Sequence, residues 1–356
     1  MNPIDWFDTA QQVLFEAAVQ PLLFSLGLAG LLEQGYRATG WLLVGLLQIG
    51  VMLTVFRALE RWRPVEPVTD RAAVRVDVIY TLLHRLGVVR VALFFTLDPL
   101  WDSLVGSLRM AGLPTWSLDG LWPGVTDVAL VSFVLYLVLF DLVDYGLHRA
   151  QHHFDWWWQL HAVHHSQRQM TMWSDNRNHL LDDVLRDSVF VLVAMLVGIP
   201  PGQFVAVVAL TQLVESLSHA NVRLSFGSFL SGLGERLLVS PRFHRLHHGI
   251  GVGHESGGPG SLGGHNFAVL FPVWDLLFGT ARWHDVPGPT GIRDQLPEYG
   301  GRDYGRGFWA QQWLGLVRLA GARARRPSPV AAAGGAAGGA ACGTDAAGVP
   351  ASLPPR

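Results

Sequence analysis

The stretch DLVDYGLHRAQHHFDWWWQLHAVHHSQRQMTMWSDNRNH, residues 141–179, holds seven of the fifteen histidines: His148, His152, His153, His161, His164, His165 and His179. It overlaps the end of the chain's strongest apolar run, 125–147, so the histidines begin where a membrane helix is expected to end. His148 and His152 are spaced i, i+4 and share one helix face. His161, His164 and His165 are spaced i, i+3, i+4, and PRFHRLHHG repeats that pattern with His244, His247 and His248. Histidines one helical turn apart can aim their imidazole nitrogens at a single ion. The three clusters supply eight imidazoles, more than one tetrahedral zinc takes. They fit two metal ions with open positions. Imidazole suits Zn, Cu, Fe and Ni, so donor type alone does not select the metal.

Composition agrees with a membrane location. Of 356 residues, 50% are hydrophobic and only 15% are charged. The net charge of −2, with no basic stripe, argues against nucleic acid as a partner. All 26 basic residues are arginine, which with the abundant Ala and Gly suggests a GC-rich bacterial gene. Cys342 is the one cysteine, so a metal must rely on N and O ligands. The N-terminus MNPIDWFDTA lacks a basic n-region, and no cleavable signal peptide is expected.

Four regions follow in order. Residues 1–124 read as an N-terminal transmembrane anchor, with spans at 11–33 and 40–56; the second ends in Arg57, Arg61 and Arg63, a cytoplasmic signal. The apolar segment 76–105 carries Asp77, His84, Arg85 and Arg90. It is either a bent or protein-buried helix, or one whose His84 and neighbours line a polar cavity. A loop at 106–124 precedes the span 125–147. Residues 125–285 form the histidine-bearing region. Within it, Pro200-Pro201 divides 188–218 into arms 188–199 and 203–217, each shorter than the roughly 20 residues that cross a bilayer. A re-entrant hairpin fits, and it returns His219 to the face that holds His148. Residues 249–264 are a glycine-rich loop, and FPVWDLLFGT (271–280) is a short apolar element whose Trp274 suits a membrane interface. Residues 286–324 are a C-terminal extension, and 325–356 an Ala/Gly/Pro-rich tail expected to be disordered. The fold class is therefore all-α, with about four transmembrane helices, a re-entrant hairpin and a histidine-rich helical cap. Four crossings ending in the cytoplasm at His148 put the N-terminus there as well.

Other residues have two readings each. His219, one turn after Glu215, is a further ligand or a C-capping histidine. His179 is a ligand or a donor behind the ligands, and His153 could replace His152. Asp141 and Asp144 approach the face of His148 and either orient its imidazole or pair with an arginine. His265 and Asn266 could line the site, while His254 and His284 read as solvated loop residues. Trp156, Trp157 and Trp158 read as an interfacial belt, with substrate gating as the other reading.

HRAQH (148–152), HAVHH (161–165), NRNH (176–179), SHAN (218–221), PRFHRLHH (241–248) and WDLLFGT (274–280) together resemble the fatty acid hydroxylase superfamily, which includes sterol desaturases. The resemblance covers roughly 125–285. It implies a four-helix anchor beneath a cytoplasmic cap in the bacterial inner membrane, holding two iron ions, with zinc as a substitute in purified protein. The implied reaction uses O2 and a separate electron-transfer protein to hydroxylate or desaturate an unactivated C–H bond of a sterol, fatty acyl or related lipid. His148, His152, His161, His164, His165, His244, His247 and His248 carry over as ligands, and His219 and His179 less firmly. Asn266-Phe267-Ala268 departs from the family's Asn-Tyr-Gly and removes a tyrosine hydroxyl. No residue beyond the metal centre is assigned to catalysis. The competing reading is a metal-binding or metal-transport membrane protein with histidine-rich cytoplasmic segments. Transport needs ionisable residues at mid-membrane, and these histidines gather at helix ends.

Overall fold

The computed structural model describes residues 3–114, 116–224, 234–250, 264–283 and 287–324. His254, His284, Cys342, most of the glycine-rich loop and the tail from 325 lie outside the described residues. Among those described the fold is all-helical, with one isolated backbone bridge between Gly249 and Thr290.

The chain opens with α1 (Pro3–Leu14), continuous through a π-turn with α2 (Gln20–Ser25). It turns at Gly27, whose φ of 71° suits glycine, and returns as α3 (Leu32–Val51) and α4 (Arg57–Trp62). The first helix thus lies eight residues earlier than the 11–33 reading. A bond from Gln11 Nε2 to the Tyr36 carbonyl, 2.8 Å, ties the two passes together. Next come α5 (Arg71–Arg85), α6 (Val88–Thr96) and α7 (Asp98–Met110). The Asp70 carboxylate caps α5 through the Ala73 amide at 3.0 Å. Gly87, at φ 78°, breaks the segment between α5 and α6, so 76–105 is not one bent helix. Helix also continues to Met110, into the stretch read as a loop.

Helix α8 (Ala129–His153) is the central pass. It leads into α9 (Asp155–His165), then α10 (Leu180–Val197) and α11 (Pro201–His219). Gly198 in the left-handed region ends α10, and Pro201 at the first position starts α11. Two helices therefore meet at Pro200, and they are longer than the expected arms 188–199 and 203–217. The added residues include Asp182, Asp183, Arg186 and Asp187, whose charges hid them from a hydropathy reading and which the fold buries or half-buries. Tyr136, Leu137 and Phe140 of α8 pack on Ile199 and Val207. Short helices α12 (Gly234–Leu237), α13 (Pro241–His247) and α14 (Val273–Leu277) complete the cap, and α15 (Phe308–Ala324) packs against α9.

Two helical stretches, Ala29–Trp62 and Ala129–His153, are long and apolar enough to cross a membrane. Their outer faces expose Leu46, Leu47, Leu53 and Val55, and Leu130, Val131, Val134 and Val138. Polar groups of α8 turn inward instead: Asp141, Asp144, His148 and His152 are all buried. Apolar outside and polar inside is the pattern of a helix with lipid around it. At the far end, Glu60 accepts the backbone amides of Met172 (2.8 Å) and Asn221 (2.9 Å). That places Arg57, Arg61 and Arg63 at the same end of the bundle as the histidines.

A candidate metal centre

Helix geometry brings the histidines into two buried groups. His148, His152, His165 and His247 form one; His164, His219, His244 and His248 form the other; within each, the candidate donor atoms lie within 4.8 Å of one another. Each group draws on three helices. Helices α8, α9 and α13 supply the first, and α9, α11 and α13 the second. The adjacent pairs His164-His165 and His247-His248 send one ring to each group, which is why HxxHH serves two sites where HxxxH serves one.

The protonation state follows from backbone contacts. Nδ1 of His148 lies 2.8 Å from the Phe267 carbonyl, that of His219 2.8 Å from the Glu215 carbonyl, and that of His247 2.7 Å from the His265 carbonyl. A carbonyl only accepts, so each Nδ1 carries the hydrogen and each neutral ring presents a lone pair at Nε2. Those lone pairs converge. His219 Nε2 is 3.1 Å from Nε2 of His164 and 3.1 Å from Nε2 of His244. His247 Nε2 is 3.2 Å from His165 Nε2, which is 3.1 Å from His152 Nε2. Nε2 of His148 is buried with no hydrogen-bond partner. Lone pairs this close repel unless a cation sits between them. Metal–nitrogen bonds of about 2.0–2.1 Å hold neighbouring ligands roughly 2.9–3.4 Å apart, so the spacing suits a metal.

Electrostatics point the same way. Burial pushes His164, His165, His244 and His247 well below the ordinary histidine range, and the neighbouring imidazoles push them further. They are neutral at pH 7, the form that binds metal.

His161 stands between the groups, its ring 5.2 Å from both His148 and His164 and 5.0 Å from His165. Its Nε2 is buried without a hydrogen-bond partner, while Nδ1 is 3.3 Å from Asp182. Asp182 also accepts from Trp157 Nε1 (2.6 Å) and Gln151 Nε2 (2.8 Å). Burial alone would raise the Asp182 carboxyl; the hydrogen bonds of His161, Gln151 and Trp157 hold it below the usual carboxylate range. Asp182 is the site residue that the sequence reading missed. Its available signal was the pair Asp182-Asp183 at the head of an apolar run.

Several expected roles are corrected. His179 joins neither group: Nδ1 accepts from the Leu181 amide (3.1 Å) and Nε2 meets the Gln312 carbonyl (2.9 Å), so it caps α10. His153 is exposed, and His152 is the inward ring. Asp141 does not reach an imidazole. It accepts from the amides of Leu270 (2.9 Å) and Phe271 (3.0 Å) and from Trp274 Nε1 (2.8 Å), clamping α14 to α8. Asp144 pairs with Arg186. Asn266 acts through the backbone. At φ 58° it takes a left-handed turn fixed by its side-chain bonds to Phe243 and Arg282, and its neighbours' carbonyls face His247 and His148. His265 is buried beside it. Phe267 packs its ring 5.2 Å from His152 and 5.7 Å from His247. Trp157 and Trp158 are buried within the cap and do not form an interfacial belt.

Comparison with known proteins gives a consistent picture. Residues 133–280 match the fatty acid hydroxylase family. The chain is similar to an ornithine lipid hydroxylase of Rhizobium tropici, 27% identical over 215 residues, covering 60% of this chain and 58% of that protein. It is also similar to alkylglycerol monooxygenases of Caenorhabditis elegans, 26% identical over 163 residues (45% of this chain, 29% of that protein), and of Danio rerio, 26% over 140 residues (39% and 28%). The chain thus spans less than two thirds of the length of each. No solved structure matches.

Proposed function

We propose, for a chain that belongs to the fatty acid hydroxylase superfamily through residues 133–280, that it is an O2-dependent di-iron hydroxylase of a membrane lipid. The observation that carries the reading is the convergence of eight buried imidazoles into two groups of four. His148, His152, His165 and His247 would hold one ion, His164, His219, His244 and His248 the other, with His161 available to either. Zinc has no redox chemistry, so among metals that imidazole suits, a hydroxylation calls for iron or copper. We assign iron, with zinc as a substitute in purified protein. When bound, the two ions would activate O2: in the overall reaction one oxygen atom of O2 enters the C–H bond, the other leaves as water, and an external donor provides two electrons with two protons.

The chain's own residues do the rest. The carbonyls of Phe267, Glu215 and His265 hold three rings with their lone pairs inward. Asp182 does the same for His161. The apolar ring of Phe267 closes one side of the first group against water. The three named relatives are a lipid hydroxylase and two monooxygenases by name, which favours hydroxylation over desaturation. The four-span anchor, the hairpin dipping at Pro200 and a cytoplasmic cap complete the reading. Its support is the arginine-rich end of α4 beside the histidines.

The test is O2-dependent oxidation in membranes of a host that expresses the chain. A lipid gaining one oxygen atom is expected with the wild type and not with His164→Ala or His247→Ala. Equal product from these variants would overturn the proposal. The metal-transport reading has less support, because Arg85–Asp175, His84–Asp183 and Asp144–Arg186 within the bundle are held in ion pairs.

A further inference from the structure

Helix α15 (Phe308–Ala324) lies beyond the family match at residues 133–280 and is built the wrong way round for water. The side turned to the protein is polar: Gln311 and Gln312 are only 2% and 7% exposed. Gln312 Nε2 donates to the Tyr80 hydroxyl (2.9 Å), its Oε1 accepts the Leu180 amide (2.8 Å), and Gln311 Nε2 donates to the Gly305 carbonyl (3.1 Å). The side turned outward is apolar. Trp309 and Trp313 are 75% and 66% exposed, and Leu316, Val317 and Ala320 continue the stripe at helical spacing. A surface helix in water hides such a stripe and exposes its glutamines.

The position of α15 says what covers the stripe. Its first turn rests on α5, with the Phe308 ring 4.7 Å from that of Tyr80. On the exposed side of α5, Arg71 and Arg75 give way one turn later to Ile79 and Leu82. On α10, exposed Leu181 follows Leu180, whose amide Gln312 holds. Helix α15 thus meets the bundle where exposed side chains change from charged to apolar, as they do at a boundary between water and lipid. Tryptophan is enriched at that boundary, because its ring is apolar and its N–H polar. Charge agrees. Between Asp303 and Asp345 the chain has five arginines (Arg306, Arg318, Arg323, Arg325 and Arg326) and no carboxylate side chain, a balance that suits a surface of anionic lipid.

We propose that α15 lies in the plane of the membrane surface, with Trp309, Trp313, Leu316 and Val317 seated at the boundary between head groups and acyl chains. Its other side ties this seat to the histidines. Arg318 Nε donates to the Gln159 carbonyl of α9 (3.3 Å), and the Gln312 carbonyl meets His179 at the head of α10 (2.9 Å). Helix α9 carries His161, His164 and His165, so the seat fixes the height of the histidine groups over the bilayer. The inference rests on the bundle crossing a membrane and is independent of the metal and of the reaction.

The experiment measures spin-label depth on the full chain in vesicles of phosphatidylcholine with phosphatidylglycerol. Cys342→Ser removes the one native thiol. Single labels are then attached through Trp313→Cys, Leu47→Cys and Glu298→Cys, the second on the stretch Ala29–Trp62 and the third at an exposed acidic position. Collisions with oxygen, which concentrates in lipid, are compared with those of a water-soluble nickel chelate. The label at 313 is expected to favour oxygen at a depth of roughly 5–10 Å into the head-group and acyl boundary, the label at 47 to lie deeper, and the label at 298 to favour the chelate. A label at 313 that favours the chelate, with the label at 47 still in lipid, overturns this inference and leaves the membrane bundle standing. A label at 313 reached by neither reagent is covered by protein, whether the C-terminal tail or a second copy of the chain, and overturns it as well. If the labels at 313 and 47 both favour the chelate, the membrane reading falls and this inference with it. Should Trp313→Cys fail to fold, Val317→Cys on the same stripe is read by the same outcomes.

Discussion

At the scale of single residues, Asp182 is the sharpest test of how the centre is held. It accepts hydrogen bonds from His161, Trp157 and Gln151. Asp182→Ala would leave three buried donors facing no acceptor, at about 1–3 kcal/mol for each that stays unsatisfied. Loss of such a partner typically weakens metal affinity by roughly 10–100-fold. Metal titration of the variant should show that loss, with His153→Ala as a control at wild-type affinity because His153 is exposed. An Asp182→Ala protein with full affinity would show that His161 needs no carboxylate.

The depressed histidines give a pH prediction for metal-free protein. His164, His165, His244 and His247 sit below the value near 6.5 that they regain on unfolding. Below about pH 6.5 the unfolded chain therefore binds protons that the folded chain does not, and stability full above that pH is lost as pH falls toward the folded values. Thermal midpoints of chelated protein should be flat from about pH 8 to pH 7 and drop steadily below about pH 6.5. A midpoint unchanged down to about pH 5 would mean that these rings are not buried as neutral imidazoles.

The histidines were legible at this scale because the i, i+3, i+4 spacing that places rings on one face is written along one helix. The oriented partners were not. Asp182 meets His161 across two helices, and the carbonyls that fix His148 and His247 belong to a turn far along the chain. Asp141 and Asp144 do share the His148 face, as their spacing required. What spacing could not show is that α14 and Arg186 reach them first.

Elements carry their own constraints. At Gly45 of α3 a Cβ would come within 1.6 Å of the Arg85 carbonyl, so this crossing admits only glycine. Gly45→Val should push α3 and α5 apart and disturb the bonds of Arg85 to Gln48 and Gln212. A cost of about 1–3 kcal/mol or more is expected, read as a lowered thermal midpoint. Wild-type stability in that variant would mean that the helices do not meet there. Gly315 of α15 is similar, since a Cβ there would lie 2.3 Å from His179 Cδ2. The break between α10 and α11 was readable from Pro200-Pro201, but the lengths of the two helices were not. Hydropathy stops at Asp182, Asp183, Arg186 and Asp187, charges that the fold buries or half-buries among partners supplied by α5, α8 and α9. In the same way Gly87 split a run that its apolar content alone made continuous.

For the whole molecule, the arrangement joins a membrane bundle to a histidine-lined cap through buried ion pairs. Arg85 to Asp175 and Arg177 to Asp77 both cross from the bundle to the segment between α9 and α10, and all four side chains are nearly inaccessible. Removing one partner, as in Asp175→Ala, strands a buried charge at roughly 3–5 kcal/mol. It should loosen the cap and the metal sites together, visible as faster proteolysis of the cap and lower metal retention. Normal retention would mean that the cap holds its shape without the bundle. Architecture at this level was foreshadowed by the apolar runs and by the arginines after Phe56. The packing of α15 on α9, however, lies outside anything periodicity encodes.

The central claim is that two groups of four imidazoles each hold an iron ion. The direct measurement is metal content per chain of protein purified from iron-supplemented cells. About two metal ions per chain are expected, iron by preference, falling to about one or none in His164→Ala and His247→Ala. Intact, folded protein that binds no more than a trace of metal, and takes up none when iron(II) is added without oxygen, would contradict it.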